Sequence, residues 1–318
     1  MISAFLKLIR LKNLLIISLT QIVIKYFLIE AYIAEPSLTY FSFSFYLIAL
    51  ILIVASGYII NDIYDVETDK INKSETRIID KTIKKSAALK TYYFLNFLGL
   101  VCGFYAAFTV NKLLLGFVFL FFIFSLWRYS QKHKTSFVIG NIQVAFLTAL
   151  SIINLGLFEL LSTGLNIKEE SHMIFLIILF YAGFSFITTL IREIIKDLED
   201  IEGDKKISAD TLAIKFGIKK TNYILLILNS IPILAITYFQ YYQYSVLNST
   251  FSVELSYWGA NKTAVIYTLI LQLLLVFQGY RIYQSKTKKD FHFLSSLSKI
   301  IMLIGILSIP LFTLLHQQ

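Results

Sequence analysis

Apolar residues run through this chain in long blocks, separated by shorter polar stretches that carry most of the charge. A helix needs about 20 apolar residues to cross a bilayer core. At that width the pattern predicts nine spans, at 14–33, 41–61, 91–110, 113–128, 136–158, 173–192, 222–240, 263–282 and 297–316. The blocks are too long for buried strands and show no strict alternation, so they read as helices. The first follows Lys7, Arg10 and Lys12. Its apolar part is longer than that of a leader, and no small-residue cleavage site follows, so it reads as the first span. The expected fold is all-α, a polytopic membrane bundle of about nine transmembrane helices, with 1–318 as one integral-membrane domain. No Pro-, Gly- or Ser-rich linker divides it.

Composition agrees. Of 318 residues 57% are hydrophobic and 15% charged, with a mean hydropathy of +0.71. A soluble domain carries about 25% charged residues, so a water-exposed globule is excluded, as are disordered and collagenous chains. The single cysteine, Cys102, allows no intrachain disulfide. A net charge of +9 invites a nucleic-acid reading, but the placement of the charges removes it. The N-terminus and the connections after spans two, four, six and eight hold 24 of the 29 Lys and Arg residues, while the opposite loops hold Lys112, Lys168 and Lys262. That asymmetry predicts a cytoplasmic N-terminus and cytoplasmic even-to-odd loops. The basic side then faces anionic lipid; no nucleic acid and no obligate protein partner are expected.

Carboxylates are also unevenly placed. Six of the 20 acidic residues lie in 62–80 and seven in 193–210. If the second span continues as a helix, Asn61, Asp65 and Asp69 stack at i, i+4 and i+8, with Asp62 one step around. In the second window Glu193, Asp197, Asp200 and Asp204 share a face, and Glu199 and Glu202 lie on the other. Like charges about 5.5 Å apart repel by roughly 3 kcal/mol at an effective dielectric near 20, and membrane helix ends add desolvation. Something cationic should offset this. Oxygen-only ligands suit Mg²⁺, which takes one or two carboxylates together with water and phosphate oxygens. His133, His172, His292 and His316 are scattered and suggest no zinc site. Two such windows facing each other across a bundle would form a metal clamp on a diphosphate, with Arg and Lys partners.

At these residues the chain resembles the UbiA superfamily of membrane prenyltransferases. Asn61 to Asp69, with Arg77 beyond, is similar to the family's asparagine-aspartate motif. Arg192 to Asp204, followed by Thr211-Leu212-Ala213-Ile214 and Phe216-Gly217, resembles its second aspartate motif. Smaller echoes are Arg10 to Asn13 and Lys132 to Asn141. The chain departs from the family at Ser74, Ile78 and Lys12, where prolines are common, which touches loop shape rather than charge. The resemblance implies transfer of an isoprenoid chain from an allylic prenyl diphosphate to a lipophilic acceptor within the membrane. It implies catalytic roles for Asp65, Asp69, Asp197 and Asp204. Metal binding would fall to Asn61, Asp62, Asp65, Asp69, Asp197, Asp200 and Asp204. Substrate contacts would come from Arg10, Asn13, Asn61, Arg77, Lys132 and Asn141, with Lys134 as an alternative to Lys132.

The acceptor is the least determined part. The second window most resembles the branch of the family that prenylates geranylgeranylglyceryl phosphate, and Lys196, Lys205 and Lys206 beside it are available for a second phosphate or for topology alone. An electron-rich aromatic such as 4-hydroxybenzoate or 1,4-dihydroxy-2-naphthoate is the alternative. From another class, a cation-coupled secondary transporter would use the same carboxylates, but transporters place them near the midplane on broken helices. Lys25, within the first span, is expected to snorkel or to face the bundle interior.

Overall fold

The computed structural model describes residues 2–67, 77–160, 169–206, 208–247 and 258–317. Among them nine helices are long and apolar enough to cross a membrane, and the only β pairing is an isolated bridge between Ile79 and Ile83. After the short α1 (Ile2–Leu8), the first span is α2 (Leu11–Val23) continued by a π-helical turn, Ile24–Ile29. Then follow α3 (Tyr40–Tyr64), α4 (Lys85–Thr109), α5 (Phe117–Gln131), α6 (Ile139–Leu160) and α7 (Glu169–Glu199). The short α8 (Ile201–Lys206) leads to α9 (Leu212–Leu247), α10 (Lys262–Gln284) and α11 (Lys288–His316).

Each expected span has its helix, but the ends differ, because apolar length measures the lipid and not the hydrogen-bonded rod. α7 carries its helix beyond 192 to Glu199, through the second acidic window. α9 starts at Leu212 and is two pieces joined across a kink at Gly217, whose φ of 71° and ψ of 171° suit a residue without Cβ. α11 starts at Lys288 because Thr287 and Asp290 form a capping box: Thr287 Oγ1 accepts from the Asp290 backbone N–H, and the Asp290 carboxylate accepts from that of Thr287. In the first window the α-helix stops at Tyr64, with Asp65 as its C-cap; Asp69 lies outside the described residues.

Successive helices pack as neighbours, and α11 closes the ring by lying against both α7 and the first span. Without a hydrophobic drive between helices in lipid, close approach depends on small residues. A Cβ at Gly103 would stand 2.4 Å from Phe119, and one at Gly57 would stand 2.7 Å from Leu126. Between α1 and α2 the chain turns at Arg10, held in the left-handed region at φ 52°, ψ 55°.

One end of the bundle encloses a charged network. Lys25 is fully buried; its Nζ donates to the Leu38 carbonyl at 2.7 Å and to Glu159 Oε1 at 2.5 Å, and stands 3.2 Å from Glu30 Oε1. The Leu38 N–H donates to Glu159 Oε2 at 3.2 Å, and Ser37 Oγ donates to the Glu159 carbonyl at 2.7 Å. Lys25 therefore faces the interior and does not snorkel. The network locks the first span, the segment before α3 and the end of α6 together. Removing one member of a buried pair strands the other charge, at about 3–5 kcal/mol. Lys25→Met and Glu159→Leu should each lower the midpoint of thermal unfolding in detergent by several degrees, and the double variant should recover most of that loss. Additive losses in the double variant would contradict the pairing.

Candidate functional site

The last turn of α3 presents Asn61, Asp62 and Asp65 at one end of the bundle. Asn61 is buried and its Nδ2 donates to Asp65 Oδ2 at 2.8 Å, the i, i+4 contact that the sequence spacing requires. Asp65 also pairs with Lys134, from the short 3-10 turn His133–Thr135 that links α5 to α6. Lys134, rather than Lys132, is brought to the carboxylate; Lys132 caps the end of α5 with its side chain exposed. This turn packs tightly on the start of α6. A Cβ at Gly140 would meet the His133 carbonyl at 2.5 Å.

The second window approaches from α7. Asp197 Oδ2 accepts from Asn141 Nδ2, on the first turns of α6, at 2.9 Å. One turn earlier Glu193 Oε1 accepts from Arg192 Nη1 at 2.7 Å and lies 3.3 Å from Lys196 Nζ. The helix then breaks. Asp200 lies exposed between α7 and α8, and the N–H of Asp204 donates to the Asp200 carbonyl at 3.0 Å. The expected single face is thus continuous from Glu193 to Asp197, while Asp200 and Asp204 sit around a bend. Glu199 points elsewhere, 2.8 Å from His292 Nδ1 on α11.

Other segments of the chain tie the surroundings of the two windows together. The Asp210 N–H donates to the Thr135 carbonyl at 2.9 Å, tying the chain after α8 to the Lys134 turn. Arg10 Nη2 donates to Asp62 Oδ1 at 3.3 Å and its guanidinium lies 4.7 Å above the Tyr58 ring, whose hydroxyl accepts from Asn13 Nδ2 at 3.2 Å. Burial works against the Arg10 charge, yet Asp62, with Tyr58, Tyr129 and Glu193 behind it, raises its pKa above the ordinary value. Tyr129, on the last turns of α5, lies within electrostatic reach of Glu193, Asp197, Arg10 and Asp65 together. The sequence reading missed Tyr129. Its signal was a tyrosine beside Arg128 at the polar end of an aromatic-rich span, which is not distinctive.

Of the residues singled out from sequence, Arg10, Asn13, Asn61, Asp62, Asp65, Asn141 and Asp197 are therefore placed in one connected set. Asp204 lies in electrostatic reach of Asp197. Arg77 lies at the start of a described segment, its Nε and Nη1 buried with no hydrogen-bond partner among the described residues. Among the described residues no three His, Cys, Asp or Glu side chains are close enough to hold a metal ion between them. The donors present, carboxylates of Asp65 and Asp197 with Asn61 and Asn141 beside them, are all oxygen ligands. They suit an ion that takes one or two carboxylates and completes its shell with water and phosphate oxygens.

The sequence pattern of the UbiA prenyltransferase family matches residues 23–303. Among curated relatives, digeranylgeranylglyceryl phosphate synthase of Methanosphaera stadtmanae is 31% identical over 261 residues, 82% of this chain and 84% of that one. The synthase of the same name from Methanococcoides burtonii is 30% identical over 292 residues, 91% of each chain. A solved structure of a digeranylgeranylglyceryl phosphate synthase in membranes is similar, with a TM-score of 0.66 at 25% identity over 98% of both chains. A UbiA homolog from Archaeoglobus fulgidus, bound to GPP and Mg²⁺, has a TM-score of 0.58 at 14% identity over 96% of this chain and 99% of that one, a likeness of fold.

The tie of each window to the stretch from the turn after α5 to the start of α6 is directly measurable. Introduced cysteine pairs, Asp65→Cys with Lys134→Cys and Asn141→Cys with Asp197→Cys, should each be linked in membranes by a short bifunctional thiol reagent, read as cross-linked peptides by mass. A pair of Glu199→Cys with Lys134→Cys should not be linked. Linkage of that third pair, with neither of the first two, would refute the arrangement.

Proposed function

Because the chain belongs to the UbiA prenyltransferase family, it is an integral, multi-pass membrane prenyltransferase, and we propose that it joins an allylic prenyl diphosphate to geranylgeranylglyceryl phosphate at the charged end of its bundle. The observation that carries this reading is the convergence of the two acidic windows, Asp65 held by Asn61 and Lys134, Asp197 held by Asn141, with Tyr129 in electrostatic reach of both. In this reading Asp65, Asp69, Asp197 and Asp204, with Asn61, Asp62 and Asp200, would hold the Mg²⁺ that meets the diphosphate end of the donor. Mg²⁺, when bound, supplies Lewis-acid neutralisation of the charge that develops on the leaving diphosphate.

The chain's own residues do the rest. Lys134 and Arg77 are assigned to the departing anion; the buried nitrogens of Arg77, without a hydrogen-bond partner among the described residues, are what a diphosphate oxygen would satisfy. The bond between the allylic carbon and the diphosphate oxygen breaks with its electron pair on the diphosphate. The glycerol hydroxyl oxygen then bonds to the allylic carbon and gives up its proton to the departed diphosphate. Aromatic rings of Tyr58 and Tyr129 line the approach and favour a passing cation.

Two small apolar cavities between the helices support a course for the isoprenoid tail from here. Thr188 lies one turn of α7 before Arg192 and lines a small, mostly apolar cavity together with Thr20, Ile24, Tyr181, Phe184, Met302 and Ile306. A second small apolar cavity, between α7, α9, α10 and α11, shares Tyr181 and Phe184 with the first. The Phe184 ring rests on Gly305, where a Cβ would stand 2.5 Å away. The concentration of 24 of 29 basic residues on one side supports a cytoplasmic position for the charged end. One domain, residues 1–318, accommodates the whole scheme. Family membership replaces the transporter reading.

Purified protein given geranylgeranyl diphosphate, Mg²⁺ and either geranylgeranylglyceryl phosphate or 4-hydroxybenzoate decides the acceptor by product mass. A doubly prenylated glycerol phosphate is expected, and prenylation of the aromatic acid alone would overturn the choice. Asp65→Ala, Asp197→Ala and Asp204→Ala should each lower turnover by about 100-fold or more, the scale of losing one group that stabilises developing charge. Glu199→Ala, which cuts only the contact to His292, should remain active.

A further inference from the structure

Around this site the cations are sorted. On one side the carboxylates and amides of Asn61, Asp65, Asn141 and Asp197 stand with a single lysine, Lys134. On the other side cations outnumber carboxylates. Asp62 is matched by Arg10, and Glu193 by both Arg192 and Lys196. Two further lysines join them. Lys299, on α11, lies in electrostatic reach of Arg192, Lys12, Glu193 and Arg10. Lys12 and Lys299 are exposed, and among the described residues neither has a carboxylate within ion-pairing distance. Arg192 is almost buried, with its Nε lacking any hydrogen-bond partner.

The geometry points to a second anion site here, built by Arg10, Lys12, Arg192 and Lys299, that takes the phosphomonoester of the acceptor lipid without a metal ion. This rests on the acceptor proposed above and names the residues that recognise it. A phosphomonoester carries a charge of about −1.5 to −2 at neutral pH with several acceptor oxygens, which matches two lysines without carboxylate partners and one orphaned guanidinium nitrogen. The place also suits a lipid headgroup. Arg10 and Lys12 begin the first span and Lys299 belongs to the last, and these two helices lie side by side where the bundle closes. A lipid entering between them brings its phosphate to the cations and its free glycerol hydroxyl toward Tyr129. A purely topogenic role fits Lys299 poorly, since it lies about three helical turns inside α11 and not in a loop. The left-handed backbone of Arg10 fits as well, because that turn aims its guanidinium across Tyr58 toward Asp62 and Glu193.

The test uses equilibrium binding and turnover separately. Without donor or Mg²⁺, the wild-type protein in nanodiscs should bind geranylgeranylglyceryl phosphate at least tenfold more tightly than geranylgeranylglycerol. Lys12→Ala with Lys299→Ala should abolish that preference, and Lys299→Arg should retain it. In turnover the double variant should raise KM for the phosphorylated acceptor tenfold or more and leave KM for geranylgeranyl diphosphate unchanged. Inorganic phosphate at millimolar concentration should compete weakly with the lipid if the phosphate alone is recognised; no competition assigns the affinity to phosphate and tail together. Equal binding of the phosphorylated and unphosphorylated lipids by the wild type, or equal loss of donor and acceptor KM in the variant, would overturn the site. Tight binding of the phosphorylated lipid without its prenylation would refute the proposed reaction and leave the site standing.

Discussion

Carboxylates placed at the ends of membrane helices repel one another and resist leaving water, and the arrangement of this bundle follows from how that repulsion is relieved. Each close carboxylate is met by a donor from somewhere else in the chain. Lys134 comes from the turn after α5, Asn141 from α6, and Arg10 from the elbow before α2. Glu193 instead is matched within its own helix, and Asn61 adds a donor to Asp65 from within α3. Closing the bundle and balancing its charge are therefore one event. The same balance is incomplete by design of the sequence. Asp65 and Asp197 both lie in electrostatic reach of Tyr129, and among the described residues no three His, Cys, Asp or Glu side chains are close enough to hold a metal ion. Such a donor set would suit the proposed ion, which would take its remaining oxygens from a substrate diphosphate and water.

The opposite end of the first span solves the related problem in the opposite way. Lys25, Glu159, Glu30 and the backbone of Leu38 pair with one another around a fully buried lysine. One end of α2 is thus a fixed joint and the other a reactive surface. The π-helical turn at Ile24–Ile29 carries Lys25 into that joint, and π-turns commonly mark such specialised points in a helix.

Much of this was legible from the sequence, and the misses share a cause. All nine spans follow from apolar length alone, and the Asn61–Asp65 contact follows from helical spacing. What spacing does not reveal is where a helix ends when polar groups, not lipid, decide it. α11 begins at Lys288 because Thr287 and Asp290 cap it, and α7 breaks at Asp200, so Asp200 and Asp204 leave the face shared by Glu193 and Asp197. Side-chain partners across long sequence separations were the other gap. Lys132 and Lys134 are equivalent in sequence, but the turn that packs Gly140 against His133 brings Lys134 to Asp65. Lys25 read as a residue of two possible fates because its partner, Glu159, is 134 positions away.

The central claim is that these two acidic windows form a half-site for a metal ion, completed only by diphosphate. Electron paramagnetic resonance with Mn²⁺ in place of Mg²⁺ measures this most directly, by counting free and bound ion in the purified protein. Weak binding of Mn²⁺ alone is expected, with tight binding on addition of geranylgeranyl diphosphate and its loss in Asp65→Asn or Asp197→Asn. Tight binding of Mn²⁺ before any diphosphate is added, or donor binding that is indifferent to both the ion and these two aspartates, would contradict it.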